Sequence, residues 1–186
     1  MNIIYGGSFN PPTLAHYEIV QTLLNNYPNA KVIIIPVGNT YQKDDLISFN
    51  HRFKMLELLF KDNNRVIISR VEETNFNGTF HTLNILNKQF NNLYLVVGSD
   101  NIININKWIE YEKLLKKYPL IIFRRNNDNV ENIMKQYNKL NPKYEIINFN
   151  HNASSTLVRS NIEKNKKYLH NDIYNYILEN NLYEVK

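Results

Sequence analysis

Two short stretches of the chain concentrate side chains that could bind phosphate. The first, GGSFNPPTLAH at residues 6–16, follows a short apolar run. Paired glycines at a strand end let the backbone turn sharply and approach a ligand, and Thr13 can begin a helix whose first N–H groups attract anions. Because Thr13 and His16 are three residues apart, they share one helix face. The stretch predicts a phosphate-binding loop beside an imidazole, with an ordinary tight turn as the alternative.

The second stretch, SSTLVR at residues 154–159, opens with residue types that cap helix N-termini. Arg159 follows one turn later and would face the same end of the helix. Hydroxyl groups and a guanidinium in this arrangement favour a polyphosphate ligand. Simple capping beside a solvent-exposed arginine explains the same residues, and the stretch alone does not separate the two interpretations.

A third stretch, GSDNIININKW at residues 98–108, offers groups for a nucleoside. Asp100 could accept hydrogen bonds from ribose hydroxyls, or it could cap a helix. Trp108, the only tryptophan, could stack on a flat ring or pack into the core. Both interpretations of each residue stay open at this level.

Apolar runs alternate with amphipathic stretches along the chain, and this pattern predicts the elements that position the three stretches. Runs rich in Ile, Val and Leu predict buried strands at residues 3–5, 32–35, 66–69, 93–97 and 120–123, and a sixth strand is predicted at residues 145–149. Apolar residues at helical spacing predict helices at residues 17–24, 52–60, 82–90, 108–115, 155–165 and 172–180.

This alternation predicts an α/β, Rossmann-like doubly wound fold with a mainly parallel sheet of five to six strands. Ligands of such sheets bind outside the carboxyl ends of the strands, where all three stretches lie. We expect a single domain over residues 1–186, in which residues 155–186 form a small C-terminal helical subregion.

Two of these stretches resemble signatures of the nucleotidylyltransferase superfamily. GSFNP at residues 7–11 followed by Thr13-x-x-His16 resembles its glycine, Ser/Thr, Phe, Asp/Asn, Pro motif with His/Thr-x-Gly-His, and Ala15 replaces the usual last glycine. SSTLVR resembles the second signature, Ile-Ser-x-Thr-x-Ile/Val-Arg, with Ala153 in its first position.

Further stretches resemble one branch of that superfamily, the nicotinate mononucleotide adenylyltransferases. Gly-x-Asp followed by Trp108 resembles the branch's pyridine-stacking tryptophan, and GTFHTL at residues 78–83 resembles Tyr-Thr-x-x-Thr-Leu. HRFKML at residues 51–56 matches Arg-x-x-Met-Leu. The branch's Pro-Pro-His-Lys/Arg loop keeps only Lys43, and its Arg-Pro-Gly keeps only Arg125.

The resemblance implies transfer of AMP from ATP to nicotinate mononucleotide, which yields deamido-NAD and pyrophosphate. The implied catalytic residues are Thr13, His16, Lys43 and Arg159. The implied ATP contacts are Gly7, Ser8, Phe9, His16, Gly98, Asp100, Ser155, Thr156 and Arg159. The implied contacts to nicotinate mononucleotide are Arg52, Thr79, Trp108 and Arg125. Mg²⁺ is expected to arrive with ATP, without a metal site made only of protein groups.

Two alternatives to this function stay open. Another adenylyl- or cytidylyltransferase, acting on nicotinamide mononucleotide or pantetheine phosphate, would carry similar motifs. A non-catalytic nucleotide sensor would bind ATP without releasing pyrophosphate.

Composition excludes several classes of site and partner. The 186 residues include no cysteine, so disulfides and thiolate metal sites are excluded. No apolar run is long enough to span a membrane, and no signal-peptide pattern is present, so we expect a cytoplasmic protein. The net charge of +5 is spread along the chain, which fits either an ordinary solvated basic surface or an anionic ligand such as a nucleotide. The sequence predicts neither a nucleic-acid nor a membrane partner. Homo-oligomer formation is left open.

Overall fold

The computed structural model describes residues 1–39, 45–125 and 128–183. The strands are β1 Asn2–Gly7, β2 Lys31–Pro36, β3 Val66–Ile68, β4 Leu93–Gly98, β5 Leu120–Arg124 and β6 Tyr144–Asn148. The α-helices are α1 Leu14–Asn26, α2 Phe49–Phe60, α3 Thr79–Leu86, α4 Ser99–Ile102, α5 Tyr111–Lys117, α6 Val130–Lys135, α7 Ser155–Ser160, α8 Ile162–Asn165 and α9 Asn171–Glu179. Within these described ranges, no helix combines the length and apolar character needed to cross a membrane.

The six strands form one parallel sheet in the order β3-β2-β1-β4-β5-β6. The chain winds outward from β1 to β3 on one side, and then from β4 to β6 on the other side. A crevice therefore opens at the carboxyl ends of β1 and β4, where the winding direction reverses. The predicted Rossmann-like, doubly wound α/β fold is confirmed.

Side chains of the central strands alternate between two hydrophobic cores, because successive strand residues point to opposite faces. In β1, Ile3 and Tyr5 pack in the core formed with α1, α2 and the C-terminal helices. Ile4 packs in the core formed with α3, α5 and α6. Burial on both faces explains why the strands appear in the sequence as continuous apolar runs.

Helix limits after β4 differ from those predicted. The helix expected at residues 108–115 begins at Tyr111, because Trp108 is extended with a ψ of 141° and Glu110 is left-handed with a φ of 56°. Ile105 and part of Trp108 pack in the core formed with α3, α5 and α6, so burial and not an α-helix explains these apolar positions.

Other helix limits also differ from those predicted, and α1 and α2 each begin three residues earlier than expected. The single helix expected at residues 155–165 is two helices, because Asn161 is extended and its side chain accepts a hydrogen bond from the Lys164 N–H at 2.8 Å. The helix expected at residues 82–90 begins earlier, at Thr79, and ends at Leu86. Gly78, which precedes it, has a positive φ of 94° that the apolar pattern does not reveal.

Gly38 follows β2 and touches the backbone of the segment that follows β3. A Cβ atom built on Gly38 would overlap the carbonyl oxygen of Glu72, which cannot rotate away as a side chain could. Gly6 is different, because the nearest atom to its Cβ position is the carbonyl oxygen of Ile35 at 4.0 Å.

Gly38→Ala should therefore lower the free energy of unfolding by about 1–3 kcal/mol, through overpacking against a fixed backbone. Gly6→Ala is the matched control and should change the stability by less than about 0.5 kcal/mol. Urea denaturation followed by circular dichroism measures both variants. Equal losses in the two would contradict the proposed overlap.

Candidate active site

The carboxyl ends of β1 and β4 form the floor of the candidate site. β1 ends at Gly7 and β4 at Gly98, on the two sides of the crevice. Residues 8–13, which join β1 to α1, are called the β1–α1 loop below. The GSFNP motif begins with Gly7 at the end of β1 and continues into this loop, and α1 begins with Leu14 directly after the loop.

The β1–α1 loop turns at Phe9 and not at the paired glycines. Phe9 is left-handed with a φ of 47°, whereas neither Gly6 nor Gly7 has a positive φ. The Phe9 ring is 1% exposed, and a Cβ on Gly7 would lie 3.1 Å from it. The expectation that the glycines form the sharp turn is wrong, because Gly7 makes room for a buried ring. Only the backbone of Phe9 can reach a nucleotide.

Thr13 precedes α1 and orients His16. The Thr13 N–H donates to Nδ1 of His16 at 2.9 Å, and Oγ1 of Thr13 lies 2.9 Å from the same nitrogen. Because a backbone N–H can only donate, Nδ1 is unprotonated and the proton of the neutral ring is on Nε2. The predicted proximity of the two side chains is confirmed, and it leaves the imidazole with one N–H donor.

The surroundings of His16 keep its ring neutral. Burial lowers the pKa of His16 to about 3, and the charges of Arg125 and His151 act in the same direction. The Phe9 ring lies edge-on to the imidazole, with 5.1 Å between the centroids. At neutral pH, His16 can therefore donate a hydrogen bond but does not carry a positive charge.

The SSTLVR stretch is in direct contact with the β1–α1 loop. Nη1 of Arg159 donates to the Asn10 carbonyl at 2.6 Å, and the Ser155 hydroxyl donates to the Pro11 carbonyl at 2.8 Å. The two stretches predicted to bind phosphate, although remote in sequence, therefore meet at the crevice.

The hydroxyl groups of this stretch have separate roles. Ser154 caps α7 by accepting a hydrogen bond from the Leu157 N–H at 3.1 Å. The single O–H donor of Ser155 is engaged by the loop, so this side chain ties α7 to the loop and does not offer its proton to a phosphate. Thr156 is exposed at the start of α7.

Arg52 does not face the crevice. Its side chain is 0% exposed. Its guanidinium donates to three backbone carbonyls: Ile47 at 3.0 Å, Ser8 at 3.0 Å and Val37 at 2.7 Å. The prediction that Arg52 contacts the mononucleotide phosphate is wrong, because the guanidinium is enclosed and its donors hold the β1–α1 loop and its neighbours.

Asp100 and Arg125 face each other across the ends of β4 and β5. Oδ2 of Asp100 lies 3.8 Å from Nη1 of Arg125. Asp100 does not cap a helix, because Gly98 is the residue that precedes α4 and no side chain caps it. The carboxylate is exposed, and Arg125 brings positive charge to the crevice near His16.

Thr79 and Trp108 lie in neighbouring segments. Gly78, directly before Thr79, packs against Ile109, and a Cβ on Gly78 would lie 2.9 Å from the Cβ of Ile109. Trp108 is half-buried against the second core. The core interpretation of Trp108 therefore holds for part of its ring, and the rest is open to solvent or a ligand.

Tyr183 is a residue of this region that the sequence did not indicate, and its partner is Asn10. Asn10 is 1% exposed, and its Nδ2 donates to the carbonyl of Asp45 at 2.7 Å. The Tyr183 hydroxyl donates to Oδ1 of Asn10 at 2.8 Å. Asn10 belongs to the GSFNP motif, which was a signal, whereas Tyr183 is 173 residues away and has no local signal.

Other features complete the region. Lys43, expected to contact ATP, lies outside the described residues.

A cavity of about 420 Å³ adjoins the start of α1 and is lined by Leu14, Asn150, His151, Asn152, Lys167 and Tyr168. Over the described ranges, no group of three or more His, Cys, Asp or Glu side chains is placed to hold a metal ion.

Comparison with known proteins identifies the family. A family model described as cytidylyltransferase-like matches residues 4–161. The chain is 44% identical over 186 residues to the "Probable nicotinate-nucleotide adenylyltransferase" of Acholeplasma laidlawii (strain PG-8A), covering 99% of this chain and 98% of that relative.

Solved structures agree with this relationship. The structure of "Plasmodium falciparum nicotinic acid mononucleotide adenylyltransferase complexed with NaAD" is 28% identical with a TM-score of 0.85, covering 100% of this chain and 98% of that chain. The same enzyme complexed with APC has a TM-score of 0.82 at 27% identity, with the same coverage. The chain belongs to the cytidylyltransferase-like family and, within it, to the nicotinate-nucleotide adenylyltransferases.

Proposed function

We propose that the protein transfers AMP from ATP to the 5′-phosphate of nicotinate mononucleotide. An oxygen of that phosphate forms a bond to the α-phosphorus of ATP, and the bond from this phosphorus to the pyrophosphate oxygen breaks. Deamido-NAD and pyrophosphate are the products. One observation carries the proposal: the side chains of His16 and Arg159 are both hydrogen-bonded to the backbone of the β1–α1 loop, at the sheet crevice.

This reaction needs no nucleophilic side chain, because the attacking phosphate is already an anion. The barrier arises from bringing two anions together and from charge on the α-phosphate and the leaving pyrophosphate. Fixed donors and cations lower such a barrier by positioning and electrostatic stabilisation. A site with a neutral imidazole donor and nearby guanidinium groups is suited to this task.

In the proposed arrangement, Nε2–H of His16 donates to the α-phosphate, and Thr13 fixes the ring that presents it. Arg159 faces the β- and γ-phosphates, and Thr156 adds a hydroxyl donor. Lys43 is proposed to reach the triphosphate. The pyrophosphate takes up the electron pair of the broken bond, which the guanidinium charge stabilises.

The nucleoside part of ATP is proposed to lie between the backbone of residues 7–9 and the end of β4. Asp100, beside Gly98, would accept hydrogen bonds from the ribose hydroxyls. Mg²⁺ is proposed to enter bound to the ATP phosphates, the usual way in which this ion meets nucleotide enzymes. The cytoplasm is the proposed location of the reaction.

The acceptor is proposed to lie beside the α3 start. The open part of Trp108 would stack on the pyridine ring, and the backbone of Thr79 would meet its carboxylate. The neighbouring position of their segments, through the contact of Gly78 with Ile109, supports this assignment. Arg125 would contact the mononucleotide phosphate.

A pyrophosphate-release assay with ATP tests the proposed reaction directly. Turnover should be faster with nicotinate mononucleotide than with nicotinamide mononucleotide, and His16→Ala should lower kcat by ~10²–10⁴ because the α-phosphate loses its donor. His81→Ala, an exposed histidine on α3, is the control and should keep wild-type kcat. ATP binding without pyrophosphate release would instead indicate a nucleotide sensor, and near-wild-type turnover of His16→Ala would remove the assigned role.

The neutral state of His16 also predicts how stability depends on pH. The pKa of His16 is about 3 in the folded protein and near 6.5 in the unfolded chain. As the pH falls below 6.5, the unfolded chain therefore binds a proton that the folded protein does not, and the free energy of unfolding decreases. His16→Gln removes the titrating group while glutamine can still accept from the Thr13 N–H.

Between pH 7.5 and pH 5, the wild type should lose about 1–2 kcal/mol more unfolding free energy than His16→Gln. Urea denaturation at the two pH values measures the difference. Parallel losses in both proteins would show that His16 is not held neutral.

The stacking role of Trp108 predicts a selective kinetic change. Trp108→Leu should raise KM for nicotinate mononucleotide roughly three- to tenfold and leave KM for ATP unchanged, since aromatic stacking contributes about 0.5–1.5 kcal/mol. Trp108→Phe, which keeps a ring, is the control and should show a smaller rise. Equal changes in both KM values would rule out a contact specific to the acceptor.

A further inference from the structure

The chain reverses direction after α9 and returns to the β1–α1 loop. Asn181 and Tyr183 are both left-handed, with φ angles of 50° and 63°. A left-handed conformation is unfavourable for a bulky side chain such as tyrosine, so surrounding contacts must hold it there. The residue before Tyr183 supplies such contacts, because Leu182 is buried and its N–H donates to the Ile177 carbonyl at 3.0 Å.

The Tyr183 hydroxyl reaches Asn10 in a defined orientation. Since Nδ2 of Asn10 donates to the Asp45 carbonyl at 2.7 Å, its Oδ1 faces the phenol and accepts the Tyr183 proton at 2.8 Å. The other donor to this oxygen, the Ile47 N–H, is 3.4 Å away. Without the phenol, this longer bond is the one that the described residues would still offer to the buried acceptor.

The same asparagine is the anchor of Arg159. Its backbone carbonyl accepts from Nη1 of Arg159 at 2.6 Å, so the side chain and the carbonyl of Asn10 link Tyr183 to the guanidinium. Burial raises the pKa of the Tyr183 phenol, while the positive charges of Arg159 and Arg52 oppose the rise. The phenol therefore stays a proton donor beside two guanidinium groups.

We infer that Tyr183 is a positioning residue for ATP binding: through its hydrogen bond to Asn10 it fixes the carbonyl that orients Arg159 toward the triphosphate. The inference rests on the proposed role of Arg159. By this inference the C-terminal segment supports the nucleotide site indirectly, because Tyr183 contacts Asn10 and not the nucleotide.

Tyr183→Phe removes one oxygen and keeps the ring. KM for ATP should rise about fivefold, as expected for the loss of one hydrogen bond, whereas KM for nicotinate mononucleotide should stay unchanged. Tyr176→Phe is the matched control, because Tyr176 is on α9 and its hydroxyl lies 2.9 Å from Nδ1 of His51, a residue of α2. That variant should lose similar thermal stability and keep the wild-type KM for ATP.

A double-mutant cycle separates positioning from general destabilisation. If Tyr183 acts through Arg159, the Tyr183→Phe effect should disappear in an Arg159→Ala background. Inhibition by inorganic tripolyphosphate should weaken by the same factor in Tyr183→Phe.

The inference is overturned if KM for ATP in Tyr183→Phe stays within twofold of that in Tyr176→Phe, or if the effect persists with Arg159→Ala. Calorimetry measures the affinity for tripolyphosphate, and so tests the effect of Tyr183 even if the protein does not convert nicotinate mononucleotide. A wild type that binds tripolyphosphate but forms no deamido-NAD would therefore count against the proposed reaction and not against Tyr183.

Discussion

The carbonyl oxygens of the β1–α1 loop impose the constraint on which the site depends. A peptide carbonyl is an obligatory acceptor and repels an anion, so a loop that receives phosphate must have these oxygens engaged by other groups. Three side chains do this: Arg52 donates to Ser8, Ser155 to Pro11 and Arg159 to Asn10. The donors come from α2 and α7, so the loop keeps its shape only when both helices are packed against it.

Arg125 and His16 contribute differently to the electrostatics of the crevice: the arginine is a cation and the histidine is neutral. Positive charge at Arg125 favours phosphate anions in the crevice, but it also opposes protonation of His16, whose pKa is already lowered by burial. The ring therefore remains a neutral donor whose direction is set by the Thr13 N–H. Fixed charge and a directed donor together suit a phosphate displacement, which needs no protein nucleophile.

The fold could be predicted in most respects, whereas parts of the site could not. The six strands appear close to the predicted positions. The central strands are apolar runs because helices cover the sheet on both faces, whereas the edge strand β6 has a mixed, more exposed sequence. The helix limits failed where backbone angles depend on packing, as at left-handed Glu110 and extended Asn161. The GSFNP and SSTLVR stretches were recognised because their residue spacing is local, but the turn at Phe9 follows from a buried ring and not from the glycines.

The sequence by itself determined the doubly wound fold and the two stretches that form the crevice, since strand burial and motif spacing are local properties. Only the tertiary structure decided which cation faces the crevice and which supports the loop. Arg52 and Arg159 both follow helix starts, yet one is fully enclosed and the other borders the site. The carbonyls of the β1–α1 loop that they engage are 44 and 149 residues away along the chain, and the Tyr183 contact spans 173 residues. Hydrogen bonds at such separations arise only once the helices pack, so no local pattern can reveal them.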